Sequence, residues 1–124
     1  MRLDNENIIV VKSKTFALRS IQLYRYLIEE KREFVLSKQF LRSATSIGAN
    51  VKEAIRGQSD ADFGFKMNIS LKEASETEYW LELLQESMYI SFEDGEEMLT
   101  ACRELIRILT AIVKTTFKNK KEEQ

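Results

Sequence analysis

The sequence predicts an all-α chain folded as an antiparallel up-down-up-down four-helix bundle, one domain over residues 1–124. Three observations carry this. The chain has no proline and only four glycines, so long helices meet few breakers. Its apolar residues, 44% of the whole beside 31% charged, recur at helical spacing in four long segments, the mark of helices with one dry face. The connections between those segments are short, which favours antiparallel neighbours.

The first segment runs from about Val11 to Arg32, with Phe16, Ser20, Leu23 and Leu27 on one stripe and Ala17, Ile21, Tyr24 and Ile28 beside it. The second, about Lys38 to Arg56, carries Phe40, Ala44, Ile47, Val51 and Ala54 inward. Ser37 is the expected N-cap and Gly57 the expected stop, since glycine accepts the left-handed conformation that ends helices. Ser59 caps a third segment, Asp60 to about Met88, whose early Asp60 and Asp62 suit the positive end of the helix dipole. Its stripe of Phe63, Met67, Ser70, Ala74, Thr77, Leu81, Leu84 and Met88 keeps heptad spacing. Asp94 and Glu97 read as a capping box opening the fourth helix, about Gly95 to Phe117, with Met98, Cys102, Leu105, Leu109 and Ile112 inward. The tail 118–124, "KNKKEEQ", is expected to fray.

Gly48 lies inside the second helix, where glycine costs about 1 kcal/mol against alanine, so it is read as a point where a neighbouring helix comes close. Asn50, just off the apolar stripe, is expected to hydrogen-bond across a helix interface, because a buried amide without partners costs about 1–3 kcal/mol. A partly exposed asparagine is the plainer alternative.

More apolar surface is present than one bundle needs. The third helix has a second stripe of Phe65, Ile69, Trp80, Leu83 and Ile90. Leu99, Ile106, Val113 and Phe117 repeat the excess on the fourth, and Leu18 and Tyr26 on the first. Large exposed apolar patches mark interfaces, so self-association is expected, with Phe65, Ile69, Trp80 and Leu83 at the seam. The alternative is a wide monomeric core with Trp80 at its edge.

Charge is segregated although the net formal charge is only -1. Residues 36–57 carry four basic side chains against one acidic, and residues 58–90 two against seven. Lys38, Arg42, Thr45, Ala49, Lys52 and Arg56 form one stripe opposite the second helix's core stripe. Its four cations suit phosphates; equally, they suit Glu73, Glu76, Glu82 and Glu86 of the third helix, or plain solvation. A pI near 5.7 argues against a general nucleic-acid binder.

Catalysis is the least supported class. There is no histidine for acid–base work, no glycine-rich phosphate loop, and no serine or cysteine beside a base. With no histidine and one cysteine, zinc has no ligand set. No cofactor is expected. Cys102, in "MLTACRELIRIL", reads as core. The N-terminal apolar run is too short for a signal peptide or a membrane span, so a cytoplasmic protein without membrane partners is expected.

With the helices placed, Ser37 to Leu84 closely resembles the four-helix-bundle proteins named for the intervening sequences of bacterial 23S rRNA genes. Two motifs carry the likeness: Ser46-Ile47-Gly48-Ala49-Asn50 with Glu53-Ala54, and Lys72-Glu73-Ala74 with Glu76-Thr77 and Tyr79-Trp80-Leu81. It continues more loosely over nearly the whole chain. The resemblance implies a ring-like homopentamer. Relatives include basic accessory proteins of diversity-generating retroelements, which bind nucleic acid and work beside a reverse transcriptase, so RNA or DNA and such a protein partner are implied expectations. This chain departs from those relatives in its net charge.

Overall fold

The computed structural model describes residues 4–123, with side chains over 5–118. Four helices follow in order: α1 (Asp4–Glu29), α2 (Leu36–Ile55), α3 (Asp60–Glu86) and α4 (Phe92–Glu123). Each packs on the next and α4 returns to α1, so α1 and α3 occupy diagonal corners, as do α2 and α4. Arg42 meets Glu73 while Glu53 meets Lys66, so numbers rise along α2 as they fall along α3. Cys102 with Ala74 and Glu96 with Gln85 show the same reversal between α3 and α4. This is the antiparallel bundle that the short connections require.

The core is built from the predicted inward rows. Phe16, Leu27, Phe40, Ile47, Met67, Leu81, Leu84, Leu105 and Leu109 are buried at its centre. Small polar residues join α2 to α3. Ser70 Oγ donates to the Ile47 carbonyl at 2.8 Å, and Thr77 Oγ1 donates to Ser43 Oγ at 2.8 Å. These bonds satisfy buried hydroxyls that would otherwise cost about 1–3 kcal/mol each, and the small side chains let the two helices approach. Cys102 is fully buried and its Sγ contacts the Ala74 carbonyl at 3.3 Å. Burial, then Glu78, push this thiol up to about 12, with Arg103 opposing; it is a packing residue in chemistry as well as position.

Several boundaries differ from those expected. Helix α1 starts at Asp4, because Ile9 and Ser13 continue the Phe16–Ser20 row and are buried. It ends at Glu29, and Arg32 then takes a left-handed conformation, φ 53°. Helix α3 ends at Glu86, and Met88 is also left-handed, φ 65°. The Tyr89 N–H reaches the Leu84 carbonyl and the Met88 N–H reaches that of Gln85, which closes the helix in a Schellman turn. Met88 is therefore 82% exposed, not the end of the core stripe.

The caps also differ. Ser59 does cap α3, accepting from the Asp62 N–H at 3.1 Å. Ser91, not Asp94, caps α4, accepting from the Asp94 N–H at 3.1 Å, so α4 opens at Phe92. Gly57 is not left-handed; it supplies room, since a Cβ there would stand 3.0 Å from the Ala54 carbonyl oxygen. Ile90, Leu99 and Val113, expected among the surplus apolar residues, are buried, because the core is wider than one row per helix. Helix α4 continues in backbone to Glu123, through most of the tail expected to fray; side chains beyond residue 118 lie outside the described residues.

Candidate nucleic-acid interface

Helix α2 is positioned by a residue before it. Glu33 is only 8% exposed, and its carboxylate accepts from the N–H groups of Val35 at 3.2 Å, Leu36 at 3.0 Å and Ser37 at 2.7 Å. These are first-turn donors that the helix itself cannot satisfy. Ser37 is thus not the cap; its Oγ donates to the Glu33 carbonyl at 2.7 Å. Burial raises the Glu33 pKa, but the hydrogen bonds from Ser37, Leu36 and Val35 outweigh it and hold the carboxyl below its ordinary value. A carboxylate at a helix N-terminus also meets the favourable end of the dipole.

On the helix so anchored, Lys38, Arg42, Lys52 and Arg56 are all exposed. They share the outer face at helical spacing, and the stretch from Lys38 to Arg56 covers about 27 Å at 1.5 Å per residue. Their pairing divides them. Arg42 reaches across to α3, where its guanidinium bonds Glu76 and contacts Glu73 at 3.3 Å. Glu53, the one acidic residue of α2, is drawn to the same side by Lys66 at 2.8 Å. Lys38, Lys52 and Arg56 make no ion pair with any described residue. The outer face of α2 therefore presents three cations without an anion of its own, and of its four cations the acidic surface of α3 neutralises only Arg42 among the described residues.

Gly48 lies against α1, where a Cβ would meet Ser13 Oγ at 3.4 Å and the Ser13 carbonyl oxygen at 3.5 Å, both ordinary contacts. The tight glycines are Gly64, where a Cβ would stand 2.8 Å from Thr116 Cγ2 of α4, and Gly95, where it would stand 2.7 Å from Nε2 of the Gln85 side chain. Asn50 is half-buried, and its Nδ2 donates to the Ser46 carbonyl at 2.8 Å, along its own helix and not across an interface.

The second stripe of α3 is graded in exposure. Phe65 is 64% exposed, Ile69, Trp80 and Leu83 are half-buried, and Tyr79 stands exposed beside Trp80 with ring centroids 5.4 Å apart. Trp80 packs on the core edge, and its indole N–H has no acceptor among the described residues. A feature not anticipated is a groove of about 590 Å³ between α1 and α4, lined by Ile8, Val11, Thr15, Ala101 and Leu105 and crossed by Lys12–Glu104 at 3.0 Å. Ile8, Val11 and Thr15 recur at helical spacing in the sequence, but a first helix that begins at about Val11 leaves Ile8 outside it. Among the described residues no cluster of His, Cys, Asp or Glu is arranged to hold a metal, and no helix is long and apolar enough to cross a membrane.

Comparison with known proteins agrees with the four-helix fold. A crystal structure of a protein of unknown function from the S23 ribosomal protein family of Bacteroides thetaiotaomicron is similar, with 51% identity, a TM-score of 0.87, and coverage of 89% of this chain and 98% of that one. No curated protein matches. The sequence matches the model of the 23S rRNA-intervening sequence proteins over residues 5–111. With four helices in the order and spacing read from the sequence, the chain belongs to the 23S rRNA-intervening sequence protein family.

Proposed function

We propose that the protein is a non-enzymatic, oligomeric accessory protein of the cytoplasm that binds RNA or DNA through the outer face of α2. One observation carries this reading: Lys38, Lys52 and Arg56 are exposed and unpaired among the described residues, while Glu53 and Arg42 are turned to α3. Phosphate contacts of this kind supply most nonspecific affinity for nucleic acid. Assembly multiplies the face, so a few weak contacts per chain sum to useful binding despite a net charge of -1. A pentamer is the ring size that the family resemblance implies.

The test is fluorescence anisotropy with labelled RNA and DNA of one sequence, comparing the parent with a Lys38→Ala/Lys52→Ala/Arg56→Ala variant of unchanged assembly. Binding should be present in the parent and fall by tenfold or more in the variant. No binding even at low salt, or equal affinity of the two, sinks the proposal. The second reading, a ring that holds a protein partner such as a reverse transcriptase and never touches nucleic acid, takes its support from the exposed aromatic residues Phe65 and Tyr79; it would stand if nucleic acid does not bind.

A further inference from the structure

Two rows of apolar side chains remain uncovered, and they lie on helices that do not touch. On α1, Ile8, Val11 and Leu18 are exposed, the last two by 65% and 55%. On α3, Phe65 and Tyr79 are exposed with Ile69 and Leu83 half-buried beside them. Because α1 and α3 occupy diagonal corners, no single self-complementary contact centred on one helix covers both rows. A head-to-tail contact, in which the first face of one copy meets the second face of the next, covers both rows at once.

The heights of the two rows agree. Ser13 faces Gly48, and Ser70 bonds the Ile47 carbonyl, so Ser13 and Ser70 stand at one level of the bundle on helices running in the same direction. Ile8 and Phe65 each lie five residues before that level, about 7.5 Å at 1.5 Å per residue. Val11 and Ile69 both lie within about 3 Å of it, and Arg25 and Glu82 both lie about 18 Å beyond it. The groove between α1 and α4 opens beside Ile8 and Val11, with Ala101 and Leu105 on its far wall and about 590 Å³ of room. The charges have opposite balance. The outer side of α1 carries Lys14 and Arg25 against Glu29, and that of α3 carries Glu82 and Glu86 against Lys72, with Glu76 held by Arg42.

We infer that the α3 face of one copy docks on the α1–α4 groove of the next, with Phe65 entering beside Ile8 and Val11. The occupant of the groove is thus a second copy of this chain. Matching heights remove any slide along the bundle axis between successive copies, so the contact has no helical rise and closes into a ring where the rotation between copies divides a full turn. This rests on the oligomeric reading above and adds the faces that meet and their order.

The experiment uses Ile8→Cys and Phe65→Cys, singly and together, treated with a short bis-maleimide and resolved on a denaturing gel. Both positions are exposed, so folding is little disturbed, and the buried Cys102 is controlled by the parent. The double variant should give a covalent ladder of dimers and higher species, while neither single variant links to itself. A parent that sediments as a single 14.5 kDa chain overturns both this inference and the oligomeric reading. An assembled parent whose double variant gives no ladder, or whose single variants self-link, overturns the α1–α3 contact alone.

Discussion

Replacing Glu33 by alanine removes the carboxylate that accepts from three backbone N–H groups at the start of α2. Loss of an N-cap costs about 0.5–2 kcal/mol, and hydrogen bonds to charged groups contribute about 1.5–3 kcal/mol each when they cannot be replaced by water. The Ser37 N–H is on a fully buried residue, whereas Val35 is exposed and Leu36 half-exposed, so their N–H groups regain water more readily. One full charged bond and partial loss of two others give a cost of roughly 2–3 kcal/mol. Glu33→Gln, which keeps one neutral acceptor, should lose about half of that.

The pH dependence has a definite sign. The folded pKa of Glu33 is lowered, so its contribution is fully present above the ordinary carboxyl value near 4.5 and is lost as pH falls through the folded value. Urea unfolding followed by circular dichroism at pH 7 and at pH 3 measures both effects. The gap between parent and Glu33→Gln should narrow in acid. A Glu33→Ala variant within about 0.5 kcal/mol of the parent at pH 7, the range of neutral surface changes, would refute the capping role, and so would a gap unchanged at pH 3.

The glycines, the left-handed Met88 and the buried Cys102 give four further expectations. Gly64→Ala should destabilise by about 1–3 kcal/mol through overpacking against Thr116, whereas Gly48→Ala should be neutral or stabilising by up to about 1 kcal/mol, since it gains helix propensity at ordinary contact distance; thermal melts of the two variants in opposite directions would bear this out. Met88→Gly should stabilise by about 1 kcal/mol, because a non-glycine residue at φ 65° is strained and Met88 has little packing to lose. Cys102 should resist thiol reagents in the folded protein and react at once in denaturant, as its burial and raised pKa require.

Helix three shows what periodicity makes legible. Every inward residue from Phe63 to Leu84 is apolar or small, and every one is buried. Periodicity failed at the ends, where the backbone decides. Arg32 and Met88 take left-handed conformations without being glycine, so nothing in their residue types announces the stop. By residue type the cap of α2 reads as Ser37, but the hydrogen bonds come to a glutamate four residues earlier, which only the turn after α1 brings into place. The basic stripe was legible as a face of one helix. Which of its members pair depends on the neighbour across the α2–α3 seam, and the spacing on α2 holds no information about Glu73 and Glu76 being within reach of Arg42. The groove between α1 and α4 was hidden for a similar reason, since it is made by two helices far apart in sequence.

The most direct measurement of the central claim is the salt dependence of nucleic-acid binding. Each phosphate neutralised contributes about 0.9 to the slope of log affinity against log salt on duplex DNA and about 0.7 on single strands. The parent should show a steep negative slope, and Lys38→Ala, Lys52→Ala and Arg56→Ala should each reduce it by nearly one unit for every copy of the site engaged. Arg42→Ala, whose guanidinium is held by Glu73 and Glu76, should leave the slope close to that of the parent. A flat parent slope, or an Arg42→Ala effect as large as those of the other three, would contradict the account.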